Sequence, residues 1–319
     1  MVTLENYPRL ADETDDSPRI MRAIADAPRS VLHIPEGIYE IATTLLVENY
    51  CSIQMELRTV LRAVEEMDFV LRWIGVHGRP PQGEERPPQH CFITGGEIDA
   101  AGIASCLQLQ SFPAHFNLRD TAYTSGKKYG LCVGPEGGGV ELFANNLYFS
   151  CKVPDCQGNI GIYTHYTDGH YTDIVIVDYS IGVYDDRCCS NRFTRVHVWV
   201  GAMQVEGVPQ YLKGSINFII KGGEDSTEDI LRDCYADTGE IGFDLYCTSR
   251  LYGCSYYNNY RWLKFDNVLA IRNNTTNQVQ VIEGCWTKTS PNAKFYQGIP
   301  GENILFRDNI FCGGLTFSD

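Results

Sequence analysis

Ile162-Tyr-Thr-His165, Val183-Tyr-Asp-Asp186 and Phe243-Asp-Leu-Tyr246 share one pattern: an apolar residue followed by side chains that alternate out, in and out. Such alternation belongs to a strand with one buried face. Anchoring the inward residue at Ile162, Val183, Met203, Phe243, Leu263, Phe295 and Leu315 gives steps of 21, 20, 40, 20, 32 and 20 residues. The 40 is two steps, with a further turn through Ile216 to Ile220. The 32 is one turn with an insertion around Asn273 to Gln278. A period near 20 is too short for a propeller blade or helical hairpin and suits one coil of a parallel β-helix. A second register agrees: Cys234, Cys254, Cys285 and Asn309 follow Leu231, Leu251, Ile282 and Phe306 by three residues each. Like residues at one place of successive coils form a ladder, so these thiols read as buried structural groups.

Composition bounds the partners. The 319 residues include 26 Lys and Arg against 40 Asp and Glu, a net charge of −14, which argues against nucleic acid or an anionic membrane as partner. No stretch approaches the roughly 18 apolar residues of a spanning helix. Met1 to Asp16 lacks the charged and apolar regions of a secretory signal, so the 13 cysteines read as reduced thiols of a cytoplasmic chain. Cys151, Cys156, His165 and His170 match no standard zinc spacing, and no metal site is expected from them.

One helix is expected, early in the chain. Ser17 caps it, Pro18 takes the first helical position, and Ile20, Met21 and Ile24 share a face. The acidic run Asp12, Glu13, Asp15, Asp16 sits where the helix dipole favours negative charge. Strands follow at Val31 to Ile34 and Ile38 to Val47. Residues 79–89 read as an exposed Pro-rich loop, and Thr121 to Gly139 as a Gly-rich one. Residues 1–29 form the cap and 30–319 a single β-helical domain.

Thr14-Asp-Asp-Ser-Pro-Arg-Ile-Met-Arg-Ala-Ile24, followed by Ser30-Val-Leu-His-Ile-Pro-Glu-Gly-Ile-Tyr-Glu-Ile41, resembles the opening of pectin-lyase-like proteins. There an Asp-Asp-Thr precedes a capping helix, and a strand ending in Pro-x-Gly-x-Tyr starts the coil. The resemblance implies an all-β fold, a single-stranded right-handed parallel β-helix with an N-terminal capping helix. It also implies a carbohydrate-linked superfamily in which trimers are frequent, so a homo-oligomer, a trimer first, is expected. The Asn-Thr-Asp, Asp-Asp, His-Gly and Arg-x-Lys set of the polygalacturonases is not reproduced.

Residues one and three places after each anchor point out of the coil. The first outward column reads Tyr163, Tyr184, Gln204, Asp244, Lys264, Tyr296; the second reads His165, Asp186, Glu206, Tyr246, Asp266. Aromatic rings that pack on sugar faces stand beside titratable groups here. On this reading Asp186, Glu206, Asp244 and Lys264 are the catalytic candidates. Tyr163, His165, Tyr184, Gln204, Tyr246 and Asp266 are the substrate-binding ones. Asp186 and Glu206, one coil apart, would lie roughly 5 Å from each other, the separation of a retaining glycosidase pair. The expected function is an enzyme on an oligo- or polysaccharide, a hydrolase or fructotransferase-like transferase ahead of a lyase. No cofactor is expected, except calcium held by Asp186 and Glu206 if the chain is a lyase. The alternative from another class is a phage-derived tailspike or carbohydrate-binding structural protein, located in a phage particle.

Overall fold

The structure, a computed structural model, describes residues 1–75, 90–113, 115–134, 139–153, 158–187, 190–201, 204–205, 208–209, 214–222, 228–258, 268–275, 278–288, 294–298, 303–312 and 317–318. Met203, Glu206, Leu263, Lys264, Asp266, Leu315, Cys156 and the loop at 79–89 lie outside them, as does the side chain of Gln204.

Each coil lays down three short parallel segments. Two of them, joined across one corner, build a 20-stranded sheet, and the third builds an 11-stranded sheet with one strand per coil. The chain is a single-stranded right-handed parallel β-helix. Its interior is closed by side chains stacked coil upon coil, such as Phe218 on Phe243 (5.1 Å between ring centroids) and Tyr171 on Phe193 (4.8 Å). Ile162, Val183 and Phe218 are fully buried, each worth roughly 1.5–3 kcal/mol relative to exposure.

The corners explain the tight turns. Within the 20-stranded sheet, Asp120, Asn146, Asp173, Asp233 and Asp308 adopt left-handed φ between 52° and 56°. Asn and Asp tolerate this region better than other L-residues. The thiol register is a corner ladder: Cys234 donates to the Phe193 carbonyl, Cys254 to Leu231 and Cys285 to Leu251, and the Asn309 amide continues the series to Ile282. Leu231, Leu251, Ile282 and Phe306 pair in register, so the ladder read from the sequence is present.

The N-terminal end is closed by the helix Ser17–Ala25, which buries Ile20, Ala23 and Ile24. Its N-cap is Asp16, not Ser17; the Ser17 hydroxyl instead accepts the amides of Ala42 and Thr43 at the first corner. The acidic run is neutralised by arginines: Asp16 pairs with Arg9 and Arg19, and Glu13 with Arg22. That corner also divides the expected strand at Ile38 to Val47 into Gly37–Ile41 and Leu45–Val47. Val2–Thr3, inside the segment read as cap, adds a strand beside Val31–Ile34.

Three further expectations are corrected. Thr121 to Gly139 is not simply a loop: Ala122–Thr124 and Tyr129–Val133 are strands of the two sheets. Gly130 is required there because a Cβ would press on Phe149 and the Gly161 carbonyl. The period is also less regular than counted. Val183 is followed in register by Phe218 and Phe243 by Ile271, so the coil after Val183 runs 35 residues rather than 20. Part of the excess is an antiparallel pair, Gln204–Val205 with Val208–Pro209, that stands outside the parallel ladder. Tyr296, read as outward, is buried and pairs with Ile271, its hydroxyl accepting from Asn273.

Candidate active site on the 11-stranded sheet

Strands Ile160–His165, Ile181–Asp186, Ile216–Lys221, Ile241–Leu245 and Leu269–Asn273 lie side by side in this sheet. Their register sets the outward columns. The first reads Tyr163, Tyr184, Ile219, Asp244, Arg272; the second reads His165, Asp186, Lys221. The residue one coil beyond Asp186 is therefore Lys221 and not Glu206. The expected carboxylate pair is not formed by register.

What the register assembles instead is a mixed cluster around one carboxylate. The Tyr163 hydroxyl donates to Asp186 Oδ2 at 2.9 Å, and His165 Nδ1 lies 3.3 Å from the same oxygen. Tyr184 meets Tyr163 edge to face, and Tyr166 meets His165 edge to face at 4.2 Å between centroids. Arg187 reaches the Tyr166 hydroxyl at 3.5 Å. Burial, and then the Asp186 carboxylate, hold the Tyr163 phenol well above the usual tyrosine range. It is thus a proton donor at neutral pH, and Asp186 is the acceptor that orients it.

Asp244 has a different setting. Its side chain is 1% exposed, and it accepts both Nε and Nη2 of Arg272 and the Asn274 amide at 2.7 Å. The fork-on-fork geometry raises the Arg272 guanidinium pKa further and consumes the carboxylate's acceptor capacity. Tyr246, 39% exposed, stands nearby, its phenol raised by burial and by Asp244.

Towards the N-terminal end the face continues as an aromatic stripe. Phe69 stacks on Tyr129 at 6.2 Å, Tyr129 meets Tyr163 at 5.5 Å, and Lys128 sits over the Tyr129 ring at 4.9 Å. Among the described residues the outward cations Arg72, Lys128 and Lys221 stand on this face with Asp186, and the exposed Glu65, Glu66 and Asp68 precede its strand Phe69–Ile74. Asp244 adds no net negative charge to it, because Arg272 cancels it.

No family model matches the chain, and no curated protein matches it in sequence. Solved structures do. A protein of Geobacillus virus E2, ORF18, superposes with a TM-score of 0.63 at 14% identity, over 99% of this chain and 61% of its own. The endo-xylogalacturonan hydrolase from Aspergillus tubingensis gives 0.65 at 11% identity, over 99% and 94%. The chain has the pectin-lyase-like β-helix fold. The tailspike of E. coli bacteriophage HK620, solved in complex with a pentasaccharide, also shares this β-helix, at a TM-score of 0.63 and 9% identity, over 99% and 63%. The chain thus spans less than two thirds of either phage protein.

On this pectin-lyase-like scaffold the structure brings the expected Tyr163, His165, Tyr184 and Asp186 together on one face, beside Lys221, Arg272, Tyr129 and Arg187, which the sequence reading did not single out. Lys221 was within reach, since it ends the strand through Ile216 to Ile220 that the spacing had already required. A calcium ion wants several oxygen ligands, and Asp186 is flanked by an imidazole and an ammonium instead. Glu206, the other expected calcium ligand, lies outside the described residues. Among them no group of three His, Cys, Asp or Glu side chains is arranged to hold a metal ion.

Proposed function

We propose that the protein acts on an acidic carbohydrate, and that the site is the outward face around Tyr163, His165 and Asp186. The observation that carries this reading is the register that sets Asp186 between His165 and Lys221 while Tyr163 donates to it. A hydrolase needs two carboxylates across the scissile bond, and the described residues offer no second one beside Asp186. Proton abstraction α to a uronate carboxyl needs a different set, and that set is at hand. His165, its Nδ1 3.3 Å from Asp186, is the base. Lys221 and Arg187 neutralise the sugar carboxylate, which lowers the cost of the carbanion. Tyr163 returns a proton, either to the leaving glycosidic oxygen, giving elimination, or to the carbon, giving epimerisation. Lys221, Arg187 and the aromatic stripe beside them support an anionic sugar as the ligand.

The second reading, a carbohydrate-binding tailspike-like protein, is favoured by the likeness to two phage proteins and by the locked state of Asp244. Mass spectrometry of polygalacturonate, polymannuronate and polyguluronate after incubation separates the possibilities. Fragments one water lighter than hydrolysis products support elimination, and fragments with water added support a hydrolase. Polymers unchanged in mass are then read by proton NMR: inverted C5 centres support epimerisation, and unaltered polymers that nevertheless co-sediment with the protein support binding alone.

A further inference from the structure

The opposite flank of the solenoid carries a depression of about 550 Å³ at the corner inside the 20-stranded sheet. That volume lies within the roughly 300–1,000 Å³ of small-ligand sites. Its shape follows from side-chain size in four successive coils. Leu57, 89% exposed, forms one wall, and Tyr148, 44% exposed, forms the other. Between them the corners hold Gly95-Gly96 and then Thr121-Ala122. Gly95 is fixed by packing, since a Cβ there would run into the Met55 carbonyl oxygen. The floor is therefore bare over three coil spacings, about 14 Å by strand spacing.

The chemistry differs from that of the other face. None of the lining residues is Lys, Arg or His, and the single carboxylate, Asp120, accepts the Asn146 amide at 2.7 Å. That bond uses one Asp120 oxygen, so the second Asp120 oxygen and the Asn146 carbonyl oxygen remain as acceptors on paired side chains, with the exposed Gln54 amide elsewhere on the lining. Such acceptors suit a vicinal diol, and the Tyr148 ring suits the C–H face of a sugar. Among the lining residues an anionic ligand would meet Asp120 with no cation to offset it, the exposed Arg119 standing at the rim in register with Thr94.

We propose that this groove is a second saccharide site, selective for a neutral oligosaccharide of two to three rings. It does not depend on the assignment of the Asp186 face.

The test is ligand-observed saturation-transfer NMR with xylotriose, cellotriose and maltotriose, and with trigalacturonate as the anionic control. At least one neutral trisaccharide should bind. Tyr148→Ala and Ala122→Trp should each weaken it about tenfold or more, as loss of a ring contact or a filled groove requires. Asp186→Asn should leave that binding unchanged. Absence of signal from all three neutral sugars overturns the proposal. So does binding that survives both groove variants, or binding abolished by Asp186→Asn. Should Ala122→Trp fail to fold, Tyr148→Ala, which removes an exposed ring, decides alone.

Discussion

The Tyr163 hydroxyl donates to the Asp186 carboxylate across one coil at 2.9 Å, so a phenol and its acceptor are fixed by strand register and not by a loop. Sites held on regular elements keep their geometry without substrate. His165, on the same strand as Tyr163, places its Nδ1 3.3 Å from the same oxygen, close enough for an ion pair but not aligned as a hydrogen bond.

Tyr163→Phe removes the proton donor and leaves the ring contacts with Tyr129 and Tyr184. Turnover should fall roughly 10²–10⁴-fold, the usual worth of general acid–base help. KM should stay within a few-fold, because the stacking surface remains. A variant that raised KM alone would make Tyr163 a binding group.

Asp244→Asn should behave differently. The aspartate is buried and Arg272 only partly so, so the pair's loss should cost about 2–3 kcal/mol, between exposed and buried pairs. Chemical denaturation would show this as a lower midpoint, with turnover per folded molecule unchanged. Equal stability with lost turnover would return Asp244 to the catalytic set.

Asp229 predicts a pH effect. Burial pushes its carboxyl up to about 7, against hydrogen bonds from the Asn191 amide at 2.8 Å and the Cys247 thiol at 3.5 Å. Between the ordinary carboxylate value and about 7, the folded chain holds a proton that the unfolded chain releases. Stability from this group is therefore fully present at low pH, falls as pH rises through that window, and is flat above it. Asp229→Asn should gain on the parent as pH rises from about 4 to 7, at no more than about 1.4 kcal/mol per pH unit. Parallel stability curves for the two proteins would contradict the assignment.

The buried thiols should be inert. Burial pushes Cys51 and Cys91 up to about 11, and Cys132 and Cys247 up to about 12. Thiolate is the reactive form. Iodoacetamide at neutral pH should leave these four unmodified in the native protein and label them after unfolding, as read by peptide mass spectrometry. Rapid native labelling of Cys132 would show that its outward position is open.

The fold was legible where coils are short and regular. The Cys234, Cys254, Cys285 and Asn309 ladder read correctly because a ladder needs identical local geometry, which like residues at like spacing reveal. The site was legible only in part, and for one physical reason. Packing fixes where strands lie, but excursions at the corners lengthen at little entropic cost. Counting 20 residues on from Val183 therefore landed at Met203, beside the antiparallel excursion, and put Glu206 where the register puts Lys221. Arg272 was hidden in the same way, because the register runs 28 residues from Phe243 to Ile271 where the count expected 20. Gly130 made a strand look like a loop, because packing against Phe149 is invisible without the neighbouring coil.

The central claim is that the Asp186 face moves a proton on a uronic-acid polymer. The direct measurement is solvent deuterium exchange: each polyuronate is incubated with the protein in heavy water, and deuterium at the carbon bearing the carboxyl, or an unsaturated end, is read by mass spectrometry. The account predicts exchange or elimination on at least one polymer, lost in His165→Gln and Asp186→Asn while both variants keep their fold. Full exchange in those variants, or cleavage with water added and no exchange, would contradict it.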